Sequence, residues 1–260
     1  GWLENELVYF RRLCLGGCYC FLAFLPKDSG KPKSRNQALM FRKELSYYFS
    51  TPIAYIVIGL YLLAISLFLW VIPGQWNIID SGYAQVDGLF QISPWLFMLL
   101  CSALTMRLFA EERQSGIWDL IRTKPISVSR IVLGKYFAAW VLVLIGLLPC
   151  LVHYFVVAYM AEPIGNLDSG AFLGSFIGLI LLSGAFLAIG LWCATCSKSQ
   201  IVCFIVSTLV CFVLYWIFFQ DYYSSLSRGV LDLRDVMFFI TIIVFALLGT
   251  TFTIDRLTRK

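Results

Sequence analysis

Six stretches of this chain contain no Asp, Glu, Lys or Arg: residues 53–72, 89–106, 136–158, 171–193, 201–219 and 236–254, each 18 to 23 residues long. That feature constrains the fold more than any motif does. A helix of about 20 apolar residues crosses a hydrocarbon core roughly 30 Å thick. A charge at the centre of such a helix costs about 2.5–3.5 kcal/mol, against about 0.3–0.6 kcal/mol returned by each leucine. Six uncharged runs of this length therefore predict an all-α integral membrane protein with six transmembrane helices. Composition agrees: 13% of residues are charged and 60% hydrophobic, where soluble domains carry about 25% charged residues.

Lys and Arg are retained on the cytoplasmic side of a membrane, and they set the orientation. Arg42 and Lys43 precede the first run, whereas the connection at 73–88 holds two aspartates and no basic residue. Arg107, Arg113, Arg122, Lys124, Arg130 and Lys135 follow the second run. The connection at 159–170 has none, the turn at 194–200 has Lys198, and the tail carries Arg256, Arg259 and Lys260. Only Arg228 and Arg234 oppose the trend. Both termini are expected in the cytoplasm.

Residues 1–39 stand apart from this pattern. Arg11 and Arg12 precede 13 apolar residues, as in a signal peptide, but the small-x-small cleavage pattern is missing and Glu4 and Glu6 lie in front. The stretch reads as an extension, disordered or foreign to the functional chain, with the membrane domain occupying 40–260. Within MFRKELSYYFSTP, Phe41, Leu45, Tyr48 and Phe49 recur on one helical face, and Arg42, Lys43 and Glu44 are assigned to the polar side. This predicts an N-terminal interface helix that ends where the chain turns inward at Pro52, a good first helical residue. The pattern fits a plain juxtamembrane anchor and a mechanical element equally.

Several classes of chemistry lack their residues. There is no GxxxxGK[ST] phosphate loop, so no nucleotide is bound in that way. The runs carry none of the acidic residues or arginines that ion-coupled carriers place within their spans. No HExxH occurs, and His153 is the sole histidine, more in keeping with a hydrogen bond between helices than with a metal ligand. Cys193 and Cys196 form a CxxC without the second pair that zinc requires. Cys101, Cys150, Cys203 and Cys211 sit inside runs as small apolar fillers. The expectation is no catalytic residue, no metal and no bound cofactor.

Small residues mark a packing face. Gly170, Gly174 and Gly178 are spaced by four along the fourth run, followed by Gly184 and Ala188. Such spacing lets helix backbones approach closely, within the chain or across a subunit interface. Trp70, Trp76, Trp95, Trp192 and Trp216 fall near the ends of runs, as interfacial anchors do.

One segment breaks the apolar monotony. Residues 111–136 read EERQSGIWDLIRTKPISVSRIVLGKY and hold eight of the chain's 35 charges. Ile117, Leu120 and Ile121 form an apolar face at helical spacing, Pro125 stops the helix, and Ser127 or Ser129 can cap the next one. A short amphipathic helix is expected under the membrane, tethered between spans 2 and 3. By itself it reads as a solvated loop or as a handle for a soluble partner. A membrane unit without a nucleotide site can be driven only by differential contacts with a partner that changes state.

The stretch EERQSGIWDLIRTKPIS resembles the signature between the second and third spans of ABC-2 type permeases. The resemblance implies a cytoplasmic coupling helix that meets an ATPase subunit, with Glu111, Glu112, Gly116, Asp119 and Pro125 in the signature positions. Ile117, Trp118 and Asp119 depart from the threonine, leucine and glutamate common there. YYFSTPIAYIVIG, WNIIDSG, LTMRLFAEE, TKPISVSRIVLGKY, PIGNLDSG and SRGVLDLRD are similar to the permease subunits associated with gliding motility.

What the resemblance implies is a multi-pass permease of the bacterial inner membrane, not itself an enzyme, in an ATP-driven exporter. ATP would be bound by a separate ABC ATPase subunit, and a second permease half would complete the pathway. The lipid bilayer is the remaining partner, and no nucleic acid is expected. The alternative is a membrane assembly or signalling subunit that transmits the ATPase's state without carrying cargo.

Overall fold

A computed structural model of the chain describes residues 32–81, 86–111, 127–161, 167–197, 199–220, 222–223 and 232–259. Helices account for nearly all of them, and no strand occurs among the described residues. Helix α1 (Pro32–Ser50) leads into α2 (Pro52–Trp70), and a short α3 (Ile78–Ser81) follows. Helix α4 (Asp87–Met106) continues into a π turn at Arg107–Glu111. Helix α5 (Val128–Leu147) joins α6 (Leu151–Met160) through a 3-10 turn. Helices α7 (Ser169–Cys196), α8 (Gln200–Leu214, prolonged by a π turn at Tyr215–Phe219) and α9 (Leu233–Arg259) complete the chain.

Five helical runs are long and apolar enough to cross a membrane, and the bent pair α1–α2 supplies a sixth when counted as one. The chain is a multi-pass, all-α membrane protein. Between α1 and α2 the axis turns by 70°. Thr51 is extended there (φ −101°, ψ 132°) and Pro52 occupies the first turn of α2, where a missing N–H is harmless. Ser50 and Thr51 hydroxyls both donate to Tyr47 O, at 2.9 and 2.8 Å, closing the end of α1.

The third run is longer than its uncharged stretch of 136–158. Val128–Met160 covers 33 residues, about 50 Å at 1.5 Å per residue. That exceeds a bilayer core of roughly 30 Å, so its first turns extend beyond the hydrocarbon on the side of the 112–126 segment. Pro149, which lacks an N–H and crowds the preceding turn, lies in the 3-10 turn Leu148–Cys150 that separates α5 from α6.

Helix α7 is the hub. Its most apolar stretch is 72% buried and that of α4 67%, against 22% for α8 and α9. It packs on α4, α5, α8 and α9. Two glycines permit this closeness. A Cβ on Gly190 would stand 2.6 Å from Thr105 Oγ1 of α4, and one on Gly184 would stand 2.9 Å from Tyr136 Oη of α5. Tyr136 and Trp140 in turn donate to Gly184 O and Ile180 O, each at 3.3 Å. The outer faces expose Ile56, Leu60, Leu63, Phe155, Ile201, Leu209, Trp216, Phe245 and Leu248, the surface that lipid covers in a spanning protein.

Candidate functional site

Of the residues expected to couple the chain to a partner, Glu111 ends the described π turn. Glu112, Gly116, Asp119 and Pro125 lie outside the described residues, as does the amphipathic helix expected around them. What the structure does show is how that segment is held at both ends. Helix α4 delivers the chain into it through the π turn, and α5 takes the chain away from Val128. Helix α1 packs against α5 beside them.

A charged node joins these three helices. Lys135 of α5 is completely buried, and its Nζ donates to Glu44 Oε1 of α1 at 3.2 Å. The same Nζ donates to the carbonyl of Leu108, in the π turn, at 3.0 Å. It also stands 5.4 Å from the centroid of the Phe109 ring, within reach of a cation–π contact. The π turn matters to this geometry. Its i→i+5 winding displaces carbonyls from the α-helical register, and Leu108 O faces a lysine on another helix. Tyr48 Oη adds a long hydrogen bond to Leu104 O of α4 at 3.5 Å, and Leu45 is buried in the same junction.

These contacts correct two assignments made from sequence. Glu44 is not on the polar face of α1: it is buried with Leu45 and Tyr48, while Arg42, Lys43, Ser46 and Tyr47 are exposed. The reason is visible in the helical period. At 100° per residue, Glu44 falls about 40° beyond Tyr48, at the edge of the arc that holds Phe41, Leu45 and Tyr48. Lys135, counted among the basic residues of the loop after the second run, belongs instead to the buried seam of α5 with Ile131, Val132, Ala138, Ala139 and Leu142. Burial is tolerable because each charge meets the other and the ammonium finds a further acceptor.

The small-residue stripe divides. Gly174 and Gly178 are buried in α7, whereas Gly170 is exposed in its first turn. Just before it, Asp168 Oδ1 accepts from Ala171 N at 3.0 Å and caps the helix. Close approaches of α7 occur further along, at Gly184 and, beyond the stripe, at Gly190.

His153 accepts a hydrogen bond at Nδ1 from Trp70 Nε1 at 3.1 Å and so ties α6 to α2. The buried thiols donate to backbone carbonyls: Cys101 to Ser183 O, Cys211 to Phe186 O, and Cys203 to Ala194 O. At the opposite end of the bundle, a cavity of about 240 Å³ opens between the N-termini of α4 and α7, with Asp87, Asp168 and Ser175 in its wall. Beyond the end of α8, Tyr223 Oη donates to Phe90 O at 2.9 Å. Burial pushes this phenol well above its ordinary range, keeping it a donor.

The sequence profile of a family described as ABC-2 family transporter protein matches residues 82–254, about two thirds of the chain. The match runs from the connection before α4 to within a few residues of the end of α9, and it includes Lys135 and the whole of 112–126. No curated protein matches the chain.

Proposed function

The chain belongs to the ABC-2 transporter family, as a multi-pass permease of an ABC transporter, and on that premise we propose that it is driven by a separate ATPase subunit docking on residues 111–125. Both termini then face the cytoplasm of a bacterial cell, and the bilayer is the inner membrane. Export is the favoured direction, in a complex with a second permease half. Gliding motility is the setting suggested by the loop sequences WNIIDSG, PIGNLDSG and SRGVLDLRD. ATP is bound by the partner, and this chain contributes no catalytic group.

The observation that carries the reading is the junction around Lys135. One ammonium of α5 bonds Glu44 of α1 and the Leu108 carbonyl in the π turn that leads into 112–126, so a force on that segment reaches a buried, three-helix node. A loop that merely connected two spans would need no such node. Glu111, Glu112, Gly116, Asp119 and Pro125 are the proposed docking residues. Glu111→Lys with Glu112→Lys reverses two charges where a partner would meet them. Like-charge juxtaposition at an interface costs several kcal/mol, while isolated surface charges contribute only about 0–1 kcal/mol to stability. The tagged variant should reach the membrane at normal levels and lose its copurifying ATPase. Full ATPase recovery with this variant, and also with Gly116→Pro, would reduce the segment to a connecting loop.

A further inference from the structure

Resting on that coupling reading, we infer that Lys135 and Glu44 form a latch that carries displacement of the 112–126 segment into α1 and, through the bend at Thr51–Pro52, into the first span. Lys135 is a positioning residue here and touches no cargo or nucleotide.

The geometry supports transmission more than mere adhesion. One ammonium is shared between a carboxylate on α1 and a carbonyl in the π turn of α4, so three helices meet at a single atom. Close packing already resists sliding between these helices. A buried charge-assisted hydrogen bond adds a directional tie between named atoms, because stretching it weakens an ion pair in a low-dielectric interior. The three elements are also the appropriate ones. Leu108 lies three residues before Glu111, and Lys135 lies about two turns into α5, so the node joins the helix that enters the segment to the helix that leaves it. Helix α1 has no loop through which to dissipate motion: Thr51 alone separates it from α2 across the 70° turn. A shift of Lys135 therefore tilts α1, and α2 follows.

The latch makes α1 a follower and the start of α5 a driver, and the two can be watched separately. Tyr47 on α1, Ser129 on α5 and Asp255 on α9 are all exposed and belong to the same end of the bundle. Spin labels at 47 and 255 report the follower, and labels at 129 and 255 report the driver. Distances are measured in the complete complex in lipid nanodiscs, without nucleotide and with ATP plus vanadate. Glu44→Leu combined with Lys135→Met removes both charges and leaves no buried ion at the junction.

In the wild-type complex both distances should shift on adding ATP and vanadate. In the double variant the 129–255 shift should persist, and the 47–255 shift should fall to less than a third of its wild-type size. An unchanged 47–255 shift in the double variant would overturn the latch while leaving the coupling reading intact. No 129–255 shift in the wild-type complex, or no ATPase recovered with it, would overturn the coupling reading and the latch together. Should the double variant recover no ATPase, Lys135→Arg decides the matter. It keeps the charge and the donor, and the latch requires it to retain the 47–255 shift at half the wild-type size or more.

Discussion

Breaking the Lys135–Glu44 pair from one side should be far more damaging than removing it whole. Lys135→Met leaves the Glu44 carboxylate, 6% exposed, without its cation and strips Leu108 O of a hydrogen bond. Losing one partner of a buried pair costs about 3–5 kcal/mol, and this variant should fall in the upper half of that range. Glu44→Leu takes the carboxylate from the ammonium, while Leu108 O and the Phe109 ring still face it, so about 3 kcal/mol is expected. The double variant leaves no charge at the junction. Its residual loss is the Leu108 carbonyl's partner, about 1–3 kcal/mol for a buried unsatisfied group, set against the apolar surface gained by Leu and Met. Single effects should thus sum to roughly 7 kcal/mol and the double should stay near 2 kcal/mol, a coupling far outside the ~0.5 kcal/mol of independent sites. Denaturation of the four proteins in mixed detergent micelles measures this cycle. Single variants each below about 1 kcal/mol and additive would mean a solvated pair, and every inference from its burial would fall.

Gly190→Val should destabilise the bundle by about 1–3 kcal/mol through overpacking, because its Cβ meets Thr105 Oγ1 at 2.6 Å. Adding Thr105→Ala should recover part of that loss in the same unfolding assay, and an unchanged midpoint for Gly190→Val alone would contradict the close crossing. Trp70→Phe removes the donor to His153 Nδ1 and should cost about 0.5–1.5 kcal/mol, with His153→Leu adding little more in the double variant. For orientation, single cysteines at 80 and 166 in a cysteine-free background should react with an impermeant thiol reagent on whole cells, while those at 115 and 258 should not; labelling at 115 would invert the topology.

The membrane architecture was legible because the bilayer writes its demand into every spanning segment independently. An uncharged run such as 171–193 needs no partner to be recognised, and α7 covers it at Ser169–Cys196. Element ends were less legible. Of the two serines that could cap the helix after Pro125, Ser127 is the one that precedes it, without a side-chain capping bond; which of the two serves depends on where the helix sits in depth and on its partners. Partners are pairwise facts. Gly184 announces a close approach, but Tyr136 as the neighbour depends on how α5 and α7 cross, which one sequence does not encode locally. The π turn at Arg107–Glu111 has no sequence signal at all, being a choice of hydrogen-bond register.

The junction itself lay between these extremes. Glu44 and Lys135 were read by residue class, as polar and therefore outside, although helical period sets Glu44 beside Tyr48, at the edge of the apolar arc, and Lys135 with Ile131, Ala138 and Leu142. A solvated charge has no reason to keep the phase of an apolar stripe. A buried one must keep it, and must also find a counter-charge, because an unpaired ion would not remain there. Two opposite charges, one within and one at the edge of the apolar face of its own helix and each at the same end of a span, are therefore candidates for one another across the 91 residues that separate them. What period could not supply is the third participant. Leu108 contributes a backbone carbonyl, every residue has one, and this one lies in the π turn where Lys135 meets it.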